Sequence, residues 1–311
     1  MLTKNEDWPQ EFLTAISAGG GSECVVLTKE PMRRHTTFEI GGPADWMALP
    51  STAAEVACVR RAASLCSVPL TVMGNGSNLL VRDKGIRGVV LKIGERMSSI
   101  RCEGERVIAG AGALLSEVSR FAAQTGLTGL EFAVGIPGSI GGAVFMNAGA
   151  YDGEISSVVE QVTAVGPDGT VQTYCSADIH FSYRHSIFQE NGCVICEIRL
   201  KLSPGDKEKI AAVMADLTRR RESRQPLEWP SAGSTFRRPP GFFAGTLVEQ
   251  AGCKGLRCGN AQVSEKHAGF IINAGQASAA DVQELIRTVQ ERVRQHSGVE
   301  LWPEIIILGE E

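Results

Sequence analysis

Residues 134–151 read Val-Gly-Ile-Pro-Gly-Ser-Ile-Gly-Gly-Ala-Val-Phe-Met-Asn-Ala-Gly-Ala-Tyr, with five glycines and one proline among apolar residues. Glycine lets the backbone bend and approach a ligand closely, because it carries no Cβ. We therefore expect residues 138–142 to leave consecutive N–H groups free for an anion or a flat ring. The alternative is a buried turn between two core elements, and glycine spacing alone does not separate the two.

A second glycine cluster favours the ligand-binding interpretation. Residues 74–80 read Gly-Asn-Gly-Ser-Asn-Leu-Leu and follow the β-type run Val-Pro-Leu-Thr-Val-Met at 68–73. A strand that ends in small residues with amides and hydroxyls suits a pyrophosphate. The cluster has neither the dinucleotide fingerprint ahead of a helix nor the Gly-Lys-Ser/Thr of a P-loop. It therefore predicts a phosphate-binding fold of another kind.

Composition excludes some classes of protein. The chain has 311 residues, of which 43% are hydrophobic and 21% charged, and its net charge of −4 argues against a nucleic-acid partner. The nine cysteines are odd in number and form no paired C-x-x-C units, which predicts reduced thiols in a cytoplasmic protein. No signal peptide is evident and no apolar run reaches the ~18 residues that span a membrane, so no membrane partner is expected.

Helical and strand patterns are mixed throughout the chain, which predicts an α+β protein with a domain boundary near 203–206. Helices are predicted within 1–18, at 52–66 with a capping box of Thr52 and Glu55, at 114–124 with a stop at Gly126, from about 210, and after a capping box of Ser278 and Asp281. Strands are predicted at 68–73, 88–91, 106–109, 193–202 and 304–308, with a hairpin at 158–174 that turns at 167–169.

Four residues outside the glycine clusters suggest chemistry, each with a structural alternative. Ser234 lies among small residues and is a candidate nucleophile or proton donor, or else a turn or N-cap serine. Arg184 lies between aromatic and apolar residues, where it would bind an anion or pair with a glutamate. His267 opens an apolar run, where it either contacts a bound molecule or is a core histidine whose hydrogen bonds are satisfied within the protein. Glu304 starts an apolar strand, as a surface carboxylate or as an acid with a raised pKa.

Several long motifs in one order make the whole pattern recognisable. The chain resembles the UDP-N-acetylenolpyruvoylglucosamine reductase family, flavoenzymes that complete UDP-N-acetylmuramate for peptidoglycan, over about residues 36–309. The motifs are Thr-Phe-Glu-Ile-Gly-Gly-Pro-Ala at 37–44, the clusters at 74–80 and 135–142, Met-Asn-Ala-Gly-Ala-Tyr at 146–151, Tyr-Arg at 183–184, Ser-Ala-Gly-Ser-Thr-Phe at 231–236 and Lys-His-Ala-Gly-Phe at 266–270.

The resemblance implies a fold and a domain organisation. We expect an N-terminal helical extension at 1–30 and a two-lobed FAD-binding domain of the p-cresol-methylhydroxylase type at 31–203. A smaller α+β substrate-binding domain at 204–311 would carry Glu304 in its C-terminal segment. Such a fold also accounts for the missing dinucleotide fingerprint.

The resemblance also implies a cofactor and no metal. FAD would be bound non-covalently, with NADPH as the hydride donor. The first cluster would wrap the pyrophosphate and the second would lie against the flavin. The residues expected to bind FAD are Gly74, Asn75, Gly76, Ser77, Asn78, Leu79, Gly135, Gly138, Ser139, Gly141 and Gly142.

The implied reaction reduces the enolpyruvyl ether of a UDP-sugar to a lactyl ether. Flavin N5 would deliver hydride to the methylene carbon, Arg184 and a protonated Glu304 would stabilise the developing negative charge, and Ser234 would protonate the α-carbon. The residues expected to bind substrate are Tyr183, Arg238, Lys254, His267 and Asn273.

We expect the protein to act in peptidoglycan synthesis and cell-wall biogenesis, and thereby in cell shape, cell division and the cell cycle. It is expected to be a cytoplasmic monomer. Two departures from the family stand out. Trp302 replaces a usual glutamate, and the only tyrosines are Tyr151, Tyr174 and Tyr183, which indicates the subclass without a tyrosine loop over the substrate. The alternatives are another FAD-dependent oxidoreductase of this fold that acts on a sugar or alcohol, and a non-catalytic nucleotide-sugar binding module.

Overall fold

The structure, a computed structural model, describes residues 8–311. Its helices are α1 (Trp8–Ala18), α2 (Ala53–Leu65), α3 (Leu115–Thr125), α4 (Ile140–Phe145), α5 (Lys207–Arg224), α6 (Ala244–Gln250) and α7 (Ala279–Ser297). Its strands are β1 (Val25–Pro31), β2 (Pro43–Leu49), β3 (Leu70–Met73), β4 (Leu79–Val81), β5 (Ile86–Lys92), β6 (Ile100–Glu103), β7 (Arg106–Gly110), β8 (Leu127–Thr128), β9 (Gly149–Ala150), β10 (Gly153–Glu154), β11 (Val159–Val165), β12 (Val171–Cys175), β13 (Val194–Lys201), β14 (Ser203–Pro204), β15 (Ser231–Ser234), β16 (Arg257–Cys258), β17 (Ala261–Val263), β18 (Phe270–Asn273) and β19 (Ile306–Leu308).

The chain divides into two compact units, each built from several segments. The first unit takes in residues 1–28, of which 8–28 are described, with 46–75 and 88–218. The second takes in residues 29–45, 76–87 and 219–311. Each unit has its own cluster of buried apolar residues. The linear domain bounds expected at residues 30 and 203 stay predictions.

The first unit contains a five-stranded antiparallel sheet in the order β12-β11-β13-β7-β6. The predicted hairpin at 158–174 is confirmed as β11 and β12, with Val165 opposite Val171. Its turn closes through the N–H of Gly166, which donates to the carbonyl of Thr170 at 2.8 Å. Gly169 has φ +81°, a left-handed conformation that favours glycine and explains the Pro-Asp-Gly sequence.

A four-stranded sheet in the order β1-β2-β5-β3 leads into the first glycine cluster. Strands β3 and β5 are parallel, with Leu70 opposite Val89. Val89, Val90 and Leu91 are fully buried, as expected of a parallel strand covered on both faces. The chain leaves β3 at Met73 and enters the cluster directly, as the sequence predicts.

Helix termini in the first unit follow the predicted signals with one difference. The Thr52 hydroxyl accepts the N–H of Glu55 at 3.1 Å, which confirms the N-cap. The Glu55 carboxylate accepts the N–H of Ser51 at 2.6 Å rather than that of Thr52, so the predicted reciprocal box is wrong in its second half. Helix α3 ends at Gly126 with φ +77°, as predicted.

The second unit packs α7 on an antiparallel sheet in the order β15-β18-β17-β16. The capping box of Ser278 and Asp281 is confirmed in both halves. The predicted apolar stripe of the helix is buried and consists of Val282, Leu285, Ile286, Val289 and Val293.

Strands β4 and β19 join distant parts of the second unit. They are parallel, with Ile306 opposite Leu79. Two residues beyond β4, the carboxylate of Asp83 accepts the N–H groups of Ala279 at 2.8 Å and Ala280 at 3.0 Å. A carboxylate is favourable at a helix N-terminus because it satisfies unpaired N–H groups and faces the positive end of the helix dipole. Asp83 thereby fastens the segment after the glycine cluster to α7.

Replacing Asp83 with alanine should lower the free energy of unfolding by about 1 kcal/mol, since it removes a cap and a favourable charge. Urea unfolding measures the change as a shift in midpoint. The neighbouring exposed Lys84→Ala serves as the control and should change stability by less than about 0.5 kcal/mol. Equal midpoints for the Asp83→Ala variant and the unmodified protein would show that this cap contributes nothing.

Candidate active site

The first glycine cluster is a tight loop whose shape requires glycine. Gly76 is buried with φ +67°, and a Cβ there would collide with the carbonyl oxygen of His35 and lie 2.9 Å from Cα of Thr36. An added side chain would therefore displace the protein's own backbone, in addition to filling space expected for a ligand. Within residues 8–311, no acceptor receives the N–H groups of Asn75, Gly76 and Ser77.

The N–H groups of residues 75–77 can be compared with the chemistry of the predicted cofactor, FAD. Nearly all buried backbone N–H groups in proteins have a hydrogen-bond partner. Gly76 is buried, whereas Asn75 and Ser77 are partly exposed. Three consecutive donors that no protein acceptor uses are available to a ligand rich in acceptors, and successive loop amides commonly bind anions. The pyrophosphate of FAD has this chemistry. The residues of the loop fit the group that the sequence predicts for them.

The two glycine clusters meet within the first unit. The side-chain amide of Asn75 donates to the carbonyl of Pro137 at 2.6 Å. A Cβ on Gly74 would collide with Oγ of Ser139. Residues separated by more than sixty positions in sequence are therefore in direct contact.

The second cluster does not leave its amides free, and that expectation was wrong for residues 140–142. The N–H of Ile140 donates to the carbonyl of Ala113 at 2.8 Å, and that of Gly141 to Ala111 at 2.9 Å. The N–H of Gly142 donates to Oγ of Ser139 at 3.3 Å. These amides are used because the loop lies along residues 111–115, and the buried-turn interpretation holds for this part of it. Contact of the loop with a flavin stays a prediction.

Glycine at position 141 is required by this packing. A Cβ there would lie 2.8 Å from the Cβ of Ala111 and 2.9 Å from its carbonyl oxygen. Real Cβ atoms do not approach that closely, so Ala111 and the loop would have to separate.

Arg184 occupies a two-residue turn in the first unit. Ser182 and His185 exchange both N–H···O bonds at 3.1 Å, which leaves Tyr183 and Arg184 at the tip. Arg184 has φ +55°, a left-handed conformation that costs a non-glycine residue about 1–2 kcal/mol. Its guanidinium lies 5.1 Å from the centre of the half-exposed Tyr183 ring. Nine non-glycine residues among 8–311 have a positive φ, so the backbone conformation alone does not assign a function, and the role of Arg184 stays a prediction.

Ser234 ends β15 beside a β-bulge in the second unit. Ser231 lies opposite Ile272 and Ser234 opposite Phe270, so three steps on one strand match two on the other. Gly233 takes up the extra residue with φ +76°. Bulges bend a strand and redirect the side chains next to them. Ser234 is exposed on a strand, and is neither an N-cap nor a hairpin-turn residue.

Glu304 is fastened to the strand that carries Ser234. Its N–H donates to the carbonyl of Thr235 at 2.8 Å, and Phe236 forms an isolated bridge with Pro303. On the other side, the amide of Asn78 donates to the carbonyl of Glu304 at 3.2 Å. The second unit therefore brings Ser234, Glu304 and the later half of the first glycine cluster together.

The family difference at Trp302 leaves this anchoring intact. Trp302 contributes its carbonyl, which accepts the N–H of Arg237 at 2.8 Å. Its side chain is 66% exposed. The backbone pairing beside Glu304 therefore does not depend on which side chain position 302 carries.

The predicted substrate-binding cations of the second unit have partners that a ligand could replace. The guanidinium of Arg238 lies 4.0 Å from the centre of the exposed Phe243 ring, and its Nε donates to the carbonyl of Phe242 at 3.3 Å. Nζ of Lys254 lies 2.7 Å from the Glu249 carboxylate. An exposed ion pair such as that of Lys254 contributes little to stability. Binding of substrate by Arg238 and Lys254 stays a prediction.

His267 is arranged as a neutral hydrogen-bond donor. Its Nδ1 accepts the N–H of Gly269 at 3.1 Å, so in the neutral ring the proton resides on Nε2. Burial lowers the pKa of His267 below its usual value of 6.5, because burial penalises the charged ring. At pH 7 the residue therefore offers an N–H rather than a positive charge.

The side-chain amide of Asn273 makes three hydrogen bonds within the protein. It donates to the carbonyl of Phe38 at 3.1 Å and accepts the N–H groups of Gly275 at 3.2 Å and Ala277 at 2.8 Å. These bonds hold the loop before α7. A contact between Asn273 and substrate stays a prediction.

Asn147 belongs to a quoted motif but was not predicted as a site residue. It is buried with φ +42°, and its amide bonds to two separate segments. The sequence signal for this position was an asparagine just after an apolar, glycine-containing helix. Such an asparagine indicates a left-handed backbone, because asparagine tolerates that conformation better than most residues. Its partners could not be read from the sequence.

Other kinds of site are not seen in the part of the chain that the structure describes. No three His, Cys, Asp or Glu side chains among residues 8–311 are placed to hold a metal ion. All nine cysteines, from Cys24 to Cys258, are free thiols. None of the helices between Trp8 and Glu311 has the length and apolar character needed to cross a membrane.

Comparison with known proteins agrees with this geometry. A family model described as an FAD binding domain matches residues 44–174, and one described as the C-terminal domain of UDP-N-acetylenolpyruvoylglucosamine reductase matches residues 225–308. The UDP-N-acetylenolpyruvoylglucosamine reductase of Agathobacter rectalis is 49% identical over an alignment of 297 positions that covers 92% of this chain and 94% of that protein. That of Clostridium tetani is 46% identical over 302 residues, 97% of this chain and 98% of that protein.

A solved structure gives the same result. The crystal structure of UDP-N-acetylenolpyruvylglucosamine reductase from Thermus caldophilus aligns with a TM-score of 0.80 and 37% identity, covering 92% of this chain and 99% of that one. The fold is therefore α+β, with an FAD-binding domain of the predicted type and a second, C-terminal domain, as in a flavin-containing oxidoreductase. The chain belongs to the UDP-N-acetylenolpyruvoylglucosamine reductase family.

Gly76→Ala should abolish retention of FAD, since its Cβ collides with the backbone at His35 and displaces the loop amides. Gly104→Ala is the matched control, because Gly104 has a similar φ of +63° but nothing within 4 Å of an added Cβ. Flavin absorbance per mole of purified protein measures the effect. Retention of equal flavin by both variants would contradict the placement of the pyrophosphate at this loop.

Proposed function

We propose that this protein uses NADPH to reduce the enolpyruvyl ether of UDP-N-acetylglucosamine enolpyruvate to the lactyl ether, forming UDP-N-acetylmuramate for peptidoglycan. The observation that carries the proposal is the bulged strand that exposes Ser234 beside the segment of Glu304. Relatives that are 46–49% identical bear the name of this activity. The alternative of a sugar or alcohol oxidoreductase has no comparable observation in its favour.

The bound flavin would supply hydride transfer, taking hydride from NADPH and delivering it to the methylene carbon of the enolpyruvyl group. The residues proposed to hold FAD are those of the two glycine clusters. The unpaired N–H groups of Asn75, Gly76 and Ser77 suit its pyrophosphate. Gly138 and Ser139 would lie against the ring system, together with the rest of the second loop.

Negative charge must be stabilised as hydride arrives. It develops on the α-carbon and spreads into the adjoining carboxylate, so donors aimed at that carboxylate lower the barrier. Arg184 offers a planar, permanently charged fork that can bind a carboxylate with two hydrogen bonds. Glu304 is proposed to donate a further hydrogen bond in its protonated form.

Ser234 is proposed to complete the reaction by donating its hydroxyl proton to the α-carbon. One hydride and one proton then saturate the carbon–carbon double bond, and solvent returns a proton to the serine oxygen. The bulge at Gly233 matters because it sets the direction of the Ser234 side chain.

Recognition of the nucleotide sugar is proposed to fall on the second unit and on Tyr183. Arg238 and Lys254 offer exposed positive charge for a diphosphate. His267 offers a neutral N–H donor at pH 7. We further propose that the protein acts as a cytoplasmic monomer, and that through peptidoglycan it contributes to cell shape and division.

Ser234→Ala should separate proton donation from the other steps. The variant should bind FAD and be reduced by NADPH at the ordinary rate, whereas re-oxidation by the enolpyruvyl nucleotide should slow by about 10²–10⁴-fold. Stopped-flow absorbance of each half-reaction provides the measurement, and Ser234→Cys should restore part of the lost rate.

The control for Ser234 comes from its own strand. Ser231→Ala removes a hydroxyl at the other end of β15 and should leave both half-reactions unchanged. If Ser234→Ala re-oxidised at the ordinary rate, the serine would have no part in protonation.

A further inference from the structure

The turn that carries Arg184 is fastened to the end of α4. Helix α4 is formed by the second glycine cluster and ends at Phe145. Asn147 follows two residues later, is 1% exposed and has φ +42°. All of these residues belong to the first unit.

The side chain of Asn147 makes two hydrogen bonds of opposite sense. Its Nδ2 donates to the carbonyl of Ser182 at 3.0 Å, at the first residue of the Arg184 turn. Its Oδ1 accepts the N–H of Ser156 at 3.2 Å. Burial strengthens both bonds, because water does not compete for them.

A second pair of contacts holds the other side of the turn to the same helix end. Oγ of the fully buried Ser186 donates to the carbonyl of Phe145 at 2.9 Å. Nε2 of Gln189 donates to that carbonyl at 2.8 Å and to the carbonyl of Arg184 itself at 2.9 Å. The strained residue is therefore fixed through its own backbone and through both flanks of its turn.

We propose that Asn147 is a positioning residue that fixes the Arg184 turn relative to the second glycine cluster. The inference rests on the proposed function of Arg184. Asparagine suits the position for two reasons: it tolerates a left-handed backbone, and its amide both donates and accepts. Aspartate keeps the acceptor but turns a carboxylate oxygen toward the Ser182 carbonyl. Glycine keeps the backbone and removes both bonds.

Loss of the Asn147 hydrogen bonds should affect only one of the two half-reactions. NADPH reduces the flavin without needing a cation for the enolpyruvyl carboxylate, whereas reduction of the enolpyruvyl group needs Arg184 in place. A displacement of about 1 Å in a positioned group can cost about 10²-fold in rate. Loss of the Asn147 bonds should therefore slow only the second half-reaction.

The test compares Asn147→Gly and Asn147→Asp with the control Asn191→Gly. Asn191 also accepts a backbone N–H, that of Cys193 at 2.9 Å, but its amide donates to the Tyr174 hydroxyl at 3.5 Å and not to the Arg184 turn. Both Asn147 variants should retain FAD and be reduced normally by NADPH, and should be re-oxidised by the enolpyruvyl nucleotide about 10–100-fold more slowly. Asn191→Gly should behave as the unmodified protein does.

Hydrogen exchange of the protein without substrate supplies a readout other than activity. The N–H groups of Ser182 and His185 should exchange faster in Asn147→Gly than in Asn191→Gly, because their turn is no longer held. A purely structural role would instead lower flavin content and slow both half-reactions together. That result, or unchanged exchange with unchanged re-oxidation, would overturn the proposal.

A double variant separates this inference from the proposed role of Arg184. Arg184→Lys alone should slow re-oxidation, and adding Asn147→Gly should slow it little further, because Asn147 acts through Arg184. If the fold-decreases in re-oxidation rate of the two single variants multiplied in the double variant, Asn147 would act independently of Arg184 and the inference would be rejected. An Arg184→Lys variant with normal re-oxidation would reject the role of Arg184 itself.

Discussion

The parallel pairing of β4 with β19 is the interaction on which the second unit depends. It sets Ile306 against Leu79 and places the carbonyl of Glu304 within reach of the Asn78 amide. On its other side the Glu304 segment pairs with the residues that follow Ser234. Backbone and amide hydrogen bonds thus join three segments from distant parts of the sequence, those that carry Ser234, Glu304 and the later half of the first glycine cluster.

Glycine serves two different purposes in the two clusters. At Gly76 it permits a left-handed turn against the His35 carbonyl and leaves neighbouring N–H groups unpaired. At Gly141 it permits the loop to lie directly on Ala111, where the amides are consumed by the protein itself. The first arrangement is suited to binding an anion. The second lets two backbone segments pack closely beside the predicted flavin position.

Local structure was largely predictable from the sequence because its signals are local. The caps at Thr52 and Ser278, the stop at Gly126 and the hairpin turn depend on a few adjacent residues. The second half of the Thr52–Glu55 box was wrong although its residues are neighbours, since Glu55 accepts the N–H of Ser51 instead of that of Thr52. The engaged amides of residues 140–142 depend on which segment lies alongside, and were missed. The role inferred for Asn147 was hidden for the same reason, since Ser182 is thirty-five positions away. Motif order, rather than any single motif, indicated the family.

The central claim is that one bound flavin passes reducing equivalents from NADPH to an enolpyruvyl nucleotide sugar. Anaerobic absorbance spectroscopy of the purified protein tests it most directly. The account predicts a flavin spectrum that bleaches on addition of one equivalent of NADPH and returns on addition of UDP-N-acetylglucosamine enolpyruvate, with UDP-N-acetylmuramate as product. A colourless protein, or a bleached flavin that the enolpyruvyl nucleotide fails to re-oxidise, would contradict it.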